Sequence, residues 1–310
     1  MLKIYKTTTY EKKIKKIKRI SQDSWIDLTN PTKEEINRVV ERTGINRDLI
    51  TKMLDADELP RIEIDDNATL IVIDTPVVED GEYITHPLGI IITNNNYIIT
   101  VSTKKNELLD DFRKNTVNDF RTAKKTRFVI QIFLKTINKY LRILKEINKG
   151  LDEKEEVLKK STENEDLIDL LAIEKTLVYF ITSLKENSVV LYRLKNGNII
   201  SLYEGDADLL DDAVVEMNQA IDMATIYRDI LSSITDTYAT IVSNNLNNVM
   251  KFLAGMTIVL SIPTIISSFL GMNVQFGIIG ISDYSAIAIF LGSIVLSVLV
   301  AIWLKKKDML

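Results

Sequence analysis

The sequence has no cysteine, one histidine, five prolines and eleven glycines in 310 residues. Without cysteine there is no disulfide and no thiolate metal site, which suits a reducing cytoplasm. The sole histidine, His86, precedes Pro87 in a strand-like stretch. One histidine cannot build a zinc site of the usual type. A nucleophile–histidine pair would rest on it alone with no partner motif beside it, so it is read as structural or exposed. No glycine-rich loop is placed to cradle a phosphate. The opening MLKIYKTTTY lacks the apolar core of a signal peptide. The following EKKIKKIKRI is strongly basic, but a net charge of −4 makes the chain a poor nucleic-acid binder. The run is read as a solvated face near a strand, with anionic lipid head groups as the alternative contact.

Charge is also missing from Phe252 to Leu270, nineteen residues that are mostly apolar. That is long enough to cross a bilayer, which takes roughly 20. Between Asp206 and Leu270 the only proline is Pro263, so one helix is predicted to run through the whole stretch, on the order of 100 Å long. A second uncharged segment, Ser285 to Leu304, is followed at once by Lys305, Lys306 and Lys307. These lysines, with Lys251 before the first span, place both basic flanks in the cytoplasm. The expected location is the cytoplasmic (inner) membrane, with both termini inside and the short loop between spans outside.

Along the long helix, steps of four and three residues link Ser243, Asn247, Met250, Ala254, Thr257, Ser261 and Thr264, with Asp236 one heptad upstream. Such steps keep side chains on one helix face. Within the span this face is small and hydroxylated, whereas Ile258, Val259, Leu260, Ile265 and Ile266 offer packing and lipid surface. Two readings stay open. Small hydroxylated residues let helices approach closely; a ring of such faces lines a hydrated pore. Two spans cannot enclose a pore alone, so the second reading requires an oligomer with the first spans inside.

The rest reads as an α+β cytoplasmic domain, a mixed sheet with flanking helices, joined to a helical stalk and a two-span membrane part. The predicted division is residues 1–117 for the α/β domain, 118–205 for an antiparallel helical hairpin and 206–251 for the stalk. Residues 252–273 form the first span, 274–284 the outer loop, 285–304 the second span and 305–310 the basic tail. Within the first domain, SWIDLTN, RIEI, ATLIVIDTPVV, YITHPLGIIIT and NYIITVS are the expected strands. Asn30-Pro31 is expected to start a helix reaching Thr43, and Gly44 to end it. The acidic LDEKEEVLKKSTENED is expected to be the bend of the hairpin.

The first span ends in Gly271-Met272-Asn273, preceded by SNNLNNVMKFL and followed by a second span and a basic tail. In that position the tripeptide resembles the signature of the CorA-type divalent-cation channels, typically magnesium transporters. The resemblance covers the C-terminal third closely and the rest in layout. It implies a homopentamer in the lipid bilayer, no enzymatic activity, and a filter of Gly271, Met272 and Asn273. Neutral Asn273 carboxamides would accept from the water shell that magnesium holds tightly. By the same resemblance Asp236, Asn247, Met250, Leu253, Thr257, Ser261 and Thr264 match pore or gate positions. Asp212 falls where the family has a stalk acid, which pairs with a neighbouring subunit's acid around a regulatory magnesium ion. Here Lys52 stands in that partner position, implying a direct ion pair; an alignment shifted by one turn puts Asp55 or Asp57 there instead and implies an ordinary metal site. The family's usual aromatic residue before the tripeptide is Leu270 here, its proline falls one position later at Pro263, and its acidic loop is Val274-Gln275-Phe276-Gly277. These departures keep cobalt, nickel and zinc as alternative substrates. A non-conducting two-span adaptor or sensor is the reading from another class, but an anchor needs neither the stripe nor the tripeptide.

Overall fold

The computed structural model describes residues 1–8, 13–79, 81–158, 164–197, 199–272 and 283–307. They divide into two compact units, Met1–Ser233 and Ile234–Leu310.

The first unit is built on a seven-stranded mixed sheet in the order β2-β1-β3-β7-β6-β5-β4. Its strands are β1 (Leu2–Thr7), β2 (Ile14–Ile17), β3 (Trp25–Thr29), β4 (Arg61–Ile64), β5 (Ala68–Glu79), β6 (Glu82–Thr93) and β7 (Ile98–Ser102). Only β3 and β7 run parallel. The N-terminal strands β1 and β2 were not among the expected ones. Their lysine-rich sequence masks the alternation, with Ile14 buried and Lys15 and Lys16 exposed on the edge strand. Charge on an edge discourages pairing with another chain.

Alternation along the strands sorts the core into two layers. Ile26, Leu28, Leu70, Val72, Ile91, Ile99 and Val101 face one side and pack with Ile36, Val39, Leu49, Ile50 and Met53. Each such fully buried side chain contributes about 1.5–3 kcal/mol. The helices of this layer are α1 (Lys33–Thr43) and α2 (Asp48–Thr51), the latter running into a 3-10 turn over Lys52–Leu54. α1 starts later than expected, because the cap is Thr32 rather than Asn30 and Pro31. Thr32 accepts from the Glu35 amide while Glu35 reaches back to the Thr32 amide, a reciprocal box that fixes the first turn. Gly44 ends the helix at φ 72°. Gly89 has a different task, since a Cβ there would lie 2.6 Å from Met53 Cγ, so only glycine lets the turn seat against β6.

On the opposite side, Trp25 packs edge-on to Phe112, Phe120 and Phe128. They come from α3 (Leu108–Arg113), the segment after it, and α4 (Lys125–Leu158). Trp25 Nε1 donates to Thr100 Oγ1 (2.9 Å), whose hydroxyl donates to Asp27 Oδ1 (3.1 Å). Arg113 closes the network on Asp27 Oδ2 at 2.6 Å.

α4 and α5 (Asn164–Asn196) form the antiparallel pair. The acidic stretch expected as its bend is helical through Leu158, its charges supported locally by contacts such as Lys154–Asp169 at 2.5 Å. Residues 159–163, the rest of the expected bend before α5, lie outside the described residues. β4 pairs only with Thr69–Val72, so the following part of β5 has that edge open. Asn187, fully buried on α5, takes the place of the missing strand: its Oδ1 accepts from the Asp74 amide and its Nδ2 donates to the Asp74 carbonyl, both at 2.8 Å. Ser183 donates to the Asp74 carboxylate at 2.6 Å.

The helix α6 (Asp206–Leu270) begins in the first unit. Its first residue is fully buried: Asp206 accepts from Arg127 Nε (2.7 Å) and from the Tyr203 amide (3.0 Å). Removing one member of such a pair leaves a buried charge unmatched, at a cost of about 3–5 kcal/mol. In the second unit α6 continues to Leu270, Pro263 notwithstanding, and α7 spans Asp283–Lys305. Both are long and apolar enough to cross a membrane. In the apolar run of α6, Gly255, Val259, Ile262 and Ile266 lose exposure at helical spacing; in α7, Ser293, Ser297, Ala301 and Leu304 do. Small residues at such spacing permit close helix packing in lipid.

Burial raises the pKa of Asp74 to about 6, opposed by the Ser183 hydroxyl, reinforced by Glu186 and opposed by His86. A carboxyl raised in the folded state is most favourable when protonated. Its contribution is therefore full below the unfolded value near 4 and is lost as pH rises towards 6. We predict that Asp74→Asn is more stable than the parent by about 3 kcal/mol at pH 7.5 and by much less at pH 4. Thermal unfolding of the full chain at the two pH values checks this, a pH-independent difference refuting it.

Candidate functional site

An α-helix advances about 100° per residue. On that basis Asp236, Ser243, Asn247, Met250, Leu253, Ala254, Thr257, Ser261 and Thr264 fall within roughly 120° of arc. The covered positions Gly255, Val259, Ile262, Pro263 and Ile266 centre about 160° away, Ser261 being the one stripe position that is also partly covered. The stripe is thus on the far side of α6 from the face its own chain buries. Asp236, Asn247, Thr257 and Thr264 are exposed, Ser261 is half-buried, and Met250 and Leu253 are 60% and 58% exposed. Two large apolar side chains adjoining polar rows on an uncovered face call for another surface.

The hydroxyls of the stripe share one arrangement. Thr257 Oγ1 donates to the Leu253 carbonyl (2.8 Å), Ser261 Oγ to the Thr257 carbonyl (2.7 Å) and Thr264 Oγ1 to the Leu260 carbonyl (3.1 Å). Four residues back is the bond a helical Ser or Thr makes when its hydrogen has no better acceptor. With the hydrogen turned to the backbone, each oxygen presents lone pairs outward. The row is therefore a row of acceptors. The water shell of a cation presents hydrogens outward, and such a wall suits it; an anion would need donors. Pro263 lacks an amide, so the Val259 carbonyl loses its helical partner without ending the helix.

The helix closes with Gly271 donating to the Ser267 carbonyl (3.0 Å) and Met272 to that of Phe269 (3.4 Å). A Cβ at Gly271 would meet only ordinary contacts at 3.4 and 3.5 Å, so the turn itself does not demand glycine. Asn273 lies outside the described residues.

The two expected regulatory residues are not brought together within one chain. Lys52 sits on the 3-10 turn and pairs with Glu63 at 2.6 Å, its side chain 43% exposed. That lysine, with Arg61 adding to it, holds the Glu63 carboxyl below its usual range. Asp212 is exposed on α6, and its neighbour Asp211 pairs with Lys195 at 2.6 Å. Among the described residues no three His, Asp or Glu side chains gather to hold a metal ion. His86 contacts Glu79 at 2.8 Å, and Lys104 reaches the same carboxylate. The positions sequence reasoning missed are Asn187 and Arg127. Their partners are 113 and 79 residues away, and no local pattern marks them.

A profile of the CorA-like Mg2+ transporter protein family matches residues 21–306. The chain belongs to the CorA family. It is also 30% identical over 261 residues to the cobalt/magnesium transport protein CorA of Methanocaldococcus jannaschii, covering 81% of this chain and 80% of that one. The complete structure of the CorA magnesium transporter of that organism superposes with a TM-score of 0.83 at 26% identity, over 99% of this chain and 96% of the other. The cytoplasmic domain of ZntB from Vibrio parahaemolyticus shares the fold, with a TM-score of 0.63 at 12% identity over 78% of this chain and 98% of that one. Membership of the CorA family makes this chain a divalent-cation transporter and not an enzyme.

The two faces of α6 predict opposite sensitivities. Thr257→Leu or Ser261→Leu, on the acceptor row, should abolish cation flux, whereas Val259→Leu should change it less than about twofold. Flux into proteoliposomes distinguishes them, and the reverse pattern would mean that the helix is rotated from this assignment.

Proposed function

We propose that the chain is a magnesium channel of the cytoplasmic membrane, assembled as a homopentamer with α6 innermost and both termini in the cytoplasm. The observation that carries this reading is the acceptor row, with Thr257 and Thr264 exposed and Ser261 half-buried, on the side of α6 away from most of the face it buries within its own chain. A ring of such rows receives a hydrated ion through its water shell, so the shell need not be stripped. Residues 206–251 act as the stalk and 252–273 as the pore-lining span. Gly271, Met272 and Asn273 form the outer filter, with Asn273 carboxamides receiving the ion. Asn247, Thr257, Ser261 and Thr264 supply polar rings below it, Met250 and Leu253 an apolar constriction that closes by dewetting, and Asp236 an acidic ring at the inner end. The membrane potential supplies the driving force, about 2.3 kcal/mol per charge per 100 mV and twice that for a divalent ion. Cobalt is the second substrate, favoured by the likeness to a cobalt/magnesium transport protein. Nickel and zinc remain alternatives to be ranked by experiment. Flux in liposomes with the four ions compared tests the assignment; absence of flux for all of them would leave the non-conducting adaptor.

Asn273→Ala should abolish magnesium uptake while the oligomer stays intact by size-exclusion chromatography, because the helix below does not need the carboxamide. Wild-type flux in that variant would sink the filter assignment.

Regulation is proposed to run between Asp212 of one subunit and Lys52 of the next. In its own chain Lys52 already pairs with Glu63, and a second carboxylate at this half-exposed ammonium adds about 0–1 kcal/mol per subunit, repeated around the ring. The closed state then needs less cytoplasmic magnesium than an acid pair at these positions would. Lys52→Asp should make flux more sensitive to internal magnesium. A wild type already strongly inhibited by internal magnesium, with the variant unchanged, refutes the ion pair.

A further inference from the structure

α4 carries Lys135, Lys139 and Arg142 at steps of four and three, one face of the helix. Together with Glu107, Leu108 and Asp111 of the α3 region they line a cavity of about 440 Å³. The three cations are not equally matched. Lys135 has a carboxylate partner, Asp111, at 2.8 Å. Lys139 is matched more loosely: its side chain is only 15% exposed, and its ion-pair partner, Glu107, stands 4.0 Å away on a side chain that is 80% exposed. That separation is beyond a hydrogen bond, and among the described residues the Lys139 ammonium makes none. Arg142 has neither ion pair nor hydrogen bond among the described residues. Burial pulls the Lys139 ammonium below the usual lysine range, Glu107 opposing and Arg142 adding to the effect. The Lys139 ammonium keeps access to the cavity and, like the Arg142 guanidinium, brings to it donors with no hydrogen-bond acceptor among the described residues, which an incoming anion would take up.

We propose that this cavity binds a small polyvalent oxyanion of the phosphate class, held by Lys139 within and by the guanidinium of Arg142 at its mouth. Lys139 and Arg142 are three residues apart, about 5–6 Å between Cβ atoms, which suits two linked phosphoryl groups rather than a single carboxylate. The guanidinium fork matches phosphate oxygens in pairs, and a lysine serves as the point charge beside it. The site has a route to α6. Asn138, which also lines the cavity, donates to Glu216 of α6 at 3.0 Å. The site neither uses nor touches the pore-lining residues, and its test does not depend on conduction.

The test is calorimetric titration of the full-length protein in detergent, in magnesium-free buffer, with sodium pyrophosphate and separately with inorganic phosphate. Saturable binding is expected, tighter for pyrophosphate, weakened by added salt, and weakened about tenfold or more by Lys139→Met and by Arg142→Gln. Lys145→Gln, an exposed lysine of α4 away from the cavity, should bind as the parent does. Should Lys139→Met fail to fold, Arg142→Gln at its exposed position decides alone. No saturable binding at millimolar pyrophosphate, phosphate binding as tightly as pyrophosphate, or equal weakening by Lys145→Gln overturns the proposal.

Discussion

Hydrocarbon offers no hydrogen-bond partner, so every backbone amide and carbonyl in the span has to be satisfied by the helix itself. That constraint reaches the side chains. A serine or threonine hydroxyl in such a helix turns its hydrogen onto the nearest carbonyl, as Thr257, Ser261 and Thr264 all do. What the face then offers outward is oxygen with lone pairs. The i−4 carbonyl is within reach of each hydroxyl whatever lies beyond the face, so the arrangement follows from the helix itself. Met250 and Leu253, one to two turns before that row on the same face, offer no such oxygen.

Accounting for backbone groups also shapes the soluble unit. β5 outruns β4, and the freed edge is answered by one side chain, Asn187, from a helix 113 residues further along. Its pairing with Asp74, with Tyr140 adding a bond to the same carbonyl at 3.3 Å, fixes where α4 and α5 cross the strand. The start of α6 is fixed by a comparable device, since Arg127 reaches Asp206 and the Glu204 carbonyl (3.0 Å) together. Such joints place charge and polarity inside, where they specify one arrangement in return for desolvation.

The strands β3 to β7 and the long helix were legible because their periods are strong: β-branched residues in alternation, and a 65-residue stretch with one proline. β1 and β2 were not, because lysines fill their outward positions and the pattern reads as a charge run. The start of α1 was misjudged by two residues, since Pro31 is a weaker signal than the reciprocal pairing of Thr32 and Glu35 that actually sets the turn. The acidic run after Gly150 was expected as the bend of the hairpin; glutamate and lysine are good helix formers, and α4 keeps the run helical to Leu158, with residues 159–163 outside the described ones. For the site, the spacing of Thr257, Ser261 and Thr264 was visible in sequence; the direction of their hydrogens was not. Asn187 and Arg127 were invisible, because their meaning depends on partners that only the fold brings near.

The back-turned hydroxyls have one more consequence, for charge that travels without ions. Protons move along a wall by hopping between groups that both give and take a hydrogen, each rotating to pass it on. Thr257, Ser261 and Thr264 have their single hydrogens fastened to carbonyls and cannot take part without breaking those bonds. A passage walled in this way offers no relay through its own side chains. If this face lines the passage as proposed, any proton leak would have to run along its water and not along these side chains.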